Sequence, residues 1–503
     1  MTTTYVTAGP VPVQQTTYIT TGPQQIQTTY ITTGRQPQPP PPPPPTTVVI
    51  TQSNSRWANP SQTQSGTAAT LLFVYAGMDM AQGLGWNLTA DSTSTLEFQY
   101  SWFIGVIIGA VVSAITSAFL PKMVFYGLGG VMNLIDAIIF VSAPYENESI
   151  LAARYVGGVG IGLITVPFLI HSAEIASSTN RGTCCALEQY ALALGVAIQV
   201  IYDSQWAQGL GMTINRVHGI FGIVFTAIAL GSVAITIDSP IFYIRQNQEQ
   251  KARASVKQLM GSSWTREAGD RAYDEAKLYV VEGTAQGVGE QLGESMMPFL
   301  KLLLFRCFVA FTFSVPLSQS ILATTELVEG TLYSWPTIIF GILRLIGALI
   351  TFAVLDTVGR KFVSLLGLMC MAGLMLGMAG VYGDYVHIFD DYFMWQVCRL
   401  GMAFQFFAGF FICSSSVYLG EAFPLRVKPF LIGLIVCLEQ VIHIIVIVKF
   451  VPTAESYYTY FVAVGIIMVI GLVAFAVLMP ETRGLTLRQA GERFRRVHDV
   501  MAY

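Results

Sequence analysis

Charge is what this sequence has least of. Asp, Glu, Lys and Arg make up 11% of its 503 residues against 53% apolar ones, where soluble domains carry about 25% charged residues. An ordinary soluble enzyme or scaffold is thereby excluded. A basic excess is also missing, with 27 Lys plus Arg facing 30 Asp plus Glu, so no positive field exists to hold nucleic acid. The five histidines, His171, His218, His387, His443 and His498, have neither His-Glu-x-x-His nor triad spacing and read as packing or loop residues. The seven cysteines, Cys184, Cys185, Cys307, Cys370, Cys398, Cys413 and Cys437, fall in apolar stretches without metal-ligand spacing. Neither a disulfide framework nor a metal site is implied. No P-loop is present, so ATP drive is not expected; Gly157, Gly158, Gly160 and Gly162 sit in an apolar run and read as close helix packing. No cofactor and no enzyme motif emerge.

Long apolar runs are what the chain does have. Twelve stretches approach the roughly 20 residues a helix needs to cross a bilayer: 69–86, 98–118, 124–143, 151–170, 183–203, 214–236, 300–325, 335–355, 363–382, 392–419, 429–451 and 459–479. The expected fold is an all-α membrane protein of two six-helix bundles. Connectors after the odd-numbered spans contain no Lys or Arg. The alternate set holds Lys122, Arg181, Arg360, Lys361, Arg426 and Lys428, and the C-terminal segment adds Arg483, Arg488, Arg493, Arg495 and Arg496. Basic residues stay on the cytoplasmic side of short loops, so both termini are expected in the cytoplasm, with the plasma membrane preferred as the address. The sequons at Asn87 and Asn147 fall in connectors this topology places outside, where glycosylation can occur.

Residues 1–68 are different in kind. Thr-Thr-Tyr recurs around Tyr5, Tyr18 and Tyr30, and prolines run unbroken from Pro39 to Pro45. This composition predicts a disordered cytoplasmic tail ending in a polyproline II rod, either a passive spacer or a docking segment for a proline-binding partner. No cleavable signal peptide is visible. A six-helix bundle is expected over 69–237, a mixed-charge linker of short helices over 238–298, a second bundle over 299–480 and a cytoplasmic tail over 481–503. The halves look related: Arg154, Glu174 and Arg181 return as Arg399, Glu421 and Lys428, at offsets of 245, 247 and 247. Leu187-Glu188-Gln189 returns as Leu438-Glu439-Gln440 at 251, through a turn of slippage or by coincidence. Repeated six-helix halves are a transporter architecture.

Four motifs lie in order on this frame. Arg154 through Gly162 leads to Glu174-x6-Arg181-Gly182; Asp356-Thr-Val-Gly359-Arg360-Lys361 follows, then Glu421-Ala-Phe-Pro424-x-Arg426-x-Lys428, then Pro480-Glu481-Thr482-Arg483-Gly484. Together they resemble the major facilitator superfamily, and the sugar porter family within it. The resemblance implies membrane transport of a small polar solute, a sugar or polyol, by alternating access, with lipid around the helices. It casts Glu174, Arg181, Asp356, Gly359, Arg360, Glu421 and Lys428 as a gating network that closes by charge-assisted bonds; static pairing at helix ends is the competing reading.

The resemblance also has gaps. Phe311-Thr-Phe-Ser-Val-Pro-Leu-Ser stands where sugar porters carry Gln-Gln-x-Ser-Gly-x-Asn, and Ser416 stands where a stacking Trp is usual. An organic-anion transporter and a non-transporting sensor or scaffold therefore remain alternatives. Ionisable residues within spans are functional candidates by default. Asp79, with Arg154, is either a proton-coupling pair for a proton co-substrate or a permanent ion pair. Gln189 sits at a position that resembles a sugar-contacting Gln, with a helix-packing bond as its rival. Arg344 either lines the substrate cavity or pairs with Glu326, Glu329 or Asp136, the pair being preferred.

Overall fold

The computed structural model describes residues 60–87, 95–205, 212–331 and 334–498, together with the backbone of 19–20 and 26–27. The two short stretches pair as a two-residue antiparallel ladder within a unit spanning Met1–Ser53, separate from Asn54–Tyr503. The proline run and the tyrosine repeats lie outside the described residues.

In the larger unit every described element is helical. α1 (Pro60–Gln64) precedes six helices of the first half: α2 (Thr67–Gly83), α3 (Leu96–Thr116), α4 (Lys122–Ser142), α5 (Asn147–Ile175), α6 (Arg181–Gln205) and α7 (Ile214–Ser232). Three shorter helices, α8 (Pro240–Arg245), α9 (Glu249–Met260) and α10 (Arg266–Ala285), form the linker. The second half comprises α11 (Val288–Phe311), α12 (Val315–Glu329), α13 (Trp335–Val358), α14 (Arg360–Tyr382), the short α15 (Tyr385–Ile388), α16 (Asp391–Ala422), α17 (Lys428–Lys449) and α18 (Ala454–Leu478), followed by α19 (Leu487–Arg495). Counting α11 and α12 as one broken helix, twelve segments match the twelve apolar stretches.

Local chemistry sets the boundaries. Thr95, Thr213 and Thr453 cap α3, α7 and α18 by accepting a backbone N–H in the first turn. Pro316 cannot donate to the preceding turn, so the seventh segment stops at Phe311 and restarts after Ser314. Gly330, at φ 69°, ends α12. Outward positions such as Ile108, Ile115, Ile470 and Val473 are exposed, as suits helix faces turned to lipid tails. Polar residues face inward, and exposed apolar residues cover the sides.

Gly77 on α2 and Gly195 on α6 let those helices cross at backbone contact: a Cβ on Gly195 would lie 1.8 Å from the Val74 carbonyl, and one on Gly77 2.2 Å from that of Leu192. Between halves, α6 packs on α13 and α16, and α17 packs on α3 and α5. The linker holds to one end of both halves. Asp238 accepts the Lys122 N–H at 2.8 Å, Ser65 Oγ donates to the Ile237 carbonyl at 3.1 Å, and Arg426 donates to the Thr284 carbonyl at 2.6 Å. α1 joins the same end, where Gln62 accepts the Ser177 N–H at 3.1 Å. Residues 60–66 are thus part of the bundle and not of the preceding tail.

Candidate functional site: a cross-half latch and two buried ionic clusters

At the linker end the N-terminus of α6 meets the C-terminus of α13. Asp356 accepts the backbone N–H groups of Gly182 and Thr183 at 2.9 and 2.8 Å and the Thr183 hydroxyl at 2.8 Å. A carboxylate from one half therefore caps a helix of the other, complementing its positive end. Gly182 is required for this, since a Cβ there would lie 2.3 Å from Asp356 Oδ1. Arg181 donates to Glu421 at 3.4 Å and to the Leu485 carbonyl at 2.8 Å. Arg360 reaches Glu421 at 3.4 Å and Asp356 at 3.5 Å. Gly359, at φ 110°, allows the turn into α14, and a Cβ there would press on Glu481 at 2.6 Å. Glu481 caps α14 by accepting the Arg360 and Lys361 N–H groups at 3.2 and 3.0 Å.

The structure thus brings Arg181, Asp356, Gly359, Arg360 and Glu421 together. Glu174 and Lys428 stand apart from that network. They line one small cavity with Lys122 and Arg245, and Lys428 Nζ has no hydrogen-bond partner among the described residues. Each takes its place by the repeat: Glu421 meets Arg181 across the halves, and the equivalent residues Glu174 and Lys428 face one cavity.

In the first half, Asp79 and Arg154 do not pair through their side chains. Arg154 donates to the carbonyl of Asp79 at 3.3 Å, to Gln82 Oε1 at 3.2 Å and to the Phe98 carbonyl at 2.9 Å, with its guanidinium 4.2 Å above the Phe98 ring. The negative end of α2 attracts it, so the backbone takes the donors expected for the carboxylate. Asp79 Oδ1 instead meets His218 Nε2 of α7 at 3.0 Å, and Oδ2 has no partner among the described residues. His218 also meets Gln199 and Tyr202. It is a site residue that spacing did not reveal. Asp136 is fully buried nearby.

Arg344 does not pair with Glu326, Glu329 or Asp136. Glu326 and Glu329 are exposed, and no acid among the described residues forms an ion pair with the guanidinium. It donates to the carbonyl of Thr312 at 3.2 Å, to the Thr312 hydroxyl at 3.1 Å and to Gln405 Oε1 at 3.0 Å. The break between α11 and α12 strands the Thr312 carbonyl, and Arg344 and Gln405 Nε2, the latter at 3.0 Å, both donate to it.

A second cluster lies between the halves. Arg306 of α11 donates to both oxygens of Glu188 on α6, at 3.2 and 3.0 Å, and to Glu439 on α17 at 3.3 Å. The Ser416 hydroxyl donates to Glu188. Ser416 is therefore engaged with a carboxylate here, whereas Gln189, next in sequence, is buried and makes no hydrogen bond with the described residues. The repeated Leu-Glu-Gln triplets place their two glutamates on one guanidinium, so that repeat has a spatial counterpart. Arg399 does not: it is exposed, while Arg154 is fully buried.

At the opposite end the halves also touch. Trp86 Nε1 donates to Ser318 Oγ at 3.1 Å, its ring lies 5.7 Å from that of Phe340, and its carbonyl accepts from Gln199 at 2.9 Å. The sequon residues Asn87 and Asn147 lie at this end, Asn147 exposed at the start of α5.

A family model described as sugar (and other) transporter matches residues 47–494. The chain belongs to the sugar transporter family. It is 24% identical over 407 residues to the D-xylose-proton symporter-like 1 of Arabidopsis thaliana, covering 76% of this chain and 78% of that protein. It is 23% identical over 425 residues to the galactose-proton symporter of Escherichia coli strain K12, covering 79% and 86%. The solved structure of the proton:xylose symporter XylE bound to 6-bromo-6-deoxy-D-glucose superposes with a TM-score of 0.66 at 18% identity, covering 86% of this chain and 98% of that one. The inward open conformation of XylE from E. coli gives 0.58 at 19% identity, covering 87% and 99%. This sugar-transporter family member is a multi-pass membrane protein of the major facilitator fold, a transporter of a small polar solute and not an enzyme.

Proposed function

We propose that the protein carries a neutral sugar or polyol across its membrane together with a proton. The observation that carries the reading is the latch: two related halves are joined at one end by Asp356, Arg181, Arg360 and Glu421 through bonds that can open and re-form. Opening at that end while Trp86 and Ser318 hold the other, then the reverse, is alternating access. The linker end is cytoplasmic by the one-sided loop charge, which leaves Asn87 and Asn147 outside as glycan acceptors. Gln189 faces the solute, and Ser416 joins it once released from Glu188. Asp79 takes the proton: its carboxylate holds one bond, to His218, and keeps one free oxygen. The names of relatives described as proton symporters support this reading.

The test is thermal stabilisation of the purified protein across hexoses, disaccharides, polyols and organic anions, because a ligand that binds only the native state raises its stability. A sugar- or polyol-selective shift lost in Gln189→Ala is expected. A shift confined to organic anions would overturn the substrate class. In proteoliposomes, Asp79→Asn should abolish accumulation driven by a pH gradient while exchange continues; undiminished accumulation would remove Asp79 from the coupling step.

A further inference from the structure

The Glu188–Arg306–Glu439 cluster has no part in the latch or in the Asp79 site, and its charges do not balance. Two carboxylates share one guanidinium, with side chains 3%, 9% and 2% exposed for Glu188, Glu439 and Arg306. One negative charge is left over inside the bundle. Leaving a buried charge unpaired costs several kcal/mol. The surroundings do not remove it. On α17 itself, His443 stacks on Phe103 of α3 at 4.9 Å. Cys307 of α11 and Cys413 of α16 are thiols, and Arg344 of α13 is committed to Thr312 and Gln405. No ionisable group of α3 or α5, the other helices packed on α17, forms an ion pair with Glu439 among the described residues. Arg306 Nε also has no acceptor among the described residues.

The two carboxylates are held unequally. Glu188 receives both hydrogen bonds from one guanidinium nitrogen, at 3.2 and 3.0 Å, and a third from Ser416. Glu439 also has one guanidinium nitrogen, 3.3 Å from each of its oxygens, but no hydroxyl donor among the described residues, and it is the most exposed of the three side chains. They also belong to different halves: Arg306–Glu188 spans the two bundles, whereas Arg306–Glu439 stays within the second.

We propose that this cluster is a proton-binding site, distinct from Asp79, in which Glu439 takes the proton and the guanidinium acts as a lock between the halves. A proton from water on Glu439 removes the surplus charge and leaves Arg306 to Glu188, which fastens α6 to α11. When the proton leaves, Arg306 is shared again and can retire onto Glu439 within its own half, which frees Glu188 and Ser416. The consequence for transport rests on the alternating-access reading; the proton binding does not.

The experiment is acid-minus-alkaline infrared difference spectroscopy of the full chain in lipid nanodiscs without substrate. It is run in the Asp79→Asn background, so that coupling at Asp79 and binding at Glu439 fail separately. A carboxylic acid C=O band is expected, lost in Glu439→Gln, whose amide has the shape of the protonated acid. In Glu188→Gln the band should persist but appear only at lower pH, because Glu439 then has the guanidinium to itself and its charged form is favoured. A band unchanged by Glu439→Gln would overturn the proposal, as would a midpoint unmoved by Glu188→Gln. Replacing sodium by choline should change nothing; a band that appears only without sodium would make the ligand a metal cation and overturn the proton assignment.

Discussion

Substituting Gly182 by alanine should open the latch without touching any of its charged groups. The new methyl would lie 2.3 Å from Asp356 Oδ1 and 2.8 Å from its carboxyl carbon, too close to stay. Asp356 must then give up the Gly182 and Thr183 amides, leaving the N-terminus of α6 uncapped. Loss of a capping side chain costs about 0.5–2 kcal/mol, and each ~1.4 kcal/mol is tenfold in an equilibrium. The closed state should lose ground by a factor of roughly 2 to 30. The Arg181 bonds to Glu421 and Leu485 remain, so the latch weakens and does not vanish. Spin labels at Thr179 and Thr357, exposed on facing sides of the latch, would report the separation in a background lacking Cys307, Cys370 and Cys437. A long-distance population should grow in Gly182→Ala and grow further in Asp356→Ala. If both variants keep the wild-type distribution, the cap does not hold the halves together and the reasoning fails.

Three further outcomes are expected. Gly195→Val should prevent α2 and α6 from crossing, given the 1.8 Å approach to the Val74 carbonyl, and lower stability by at least about 1–3 kcal/mol in a thermal unfolding assay. Arg344→Gln should cost about 1–3 kcal/mol, because it takes the guanidinium donors from buried Gln405 Oε1 and from Thr312 at the helix break, and leave solute preference unchanged in an uptake screen; a changed preference at unchanged stability would make Arg344 a ligand for the solute. His218→Ala leaves Asp79 Oδ1 without its partner, so the pH dependence of uptake should move while exchange at saturating solute persists; an unmoved profile would separate His218 from coupling.

Much of the fold was legible in the sequence because a bilayer imposes a one-dimensional rule. Each crossing needs an apolar run of fixed length, and each connector shows its charge. Arg181 and Glu421 were legible because the spacing of Glu174 and Arg181 repeats as Glu421 and Lys428, and Asp356 and Arg360 because their motif resembles that of the family. Pairings inside the bundle were not. Arg154 bonds a carbonyl in place of the Asp79 carboxylate, Arg344 satisfies a broken helix in place of a buried acid, and His218 stands 139 residues from the aspartate it contacts. A buried donor settles on whichever acceptor lies within about 3 Å, and helix rotation and crossing decide that, not spacing along the chain. The Leu-Glu-Gln triplets show the division most clearly: the sequence held both copies, but only packing α6, α11 and α17 around Arg306 turned two glutamates 251 residues apart into one site.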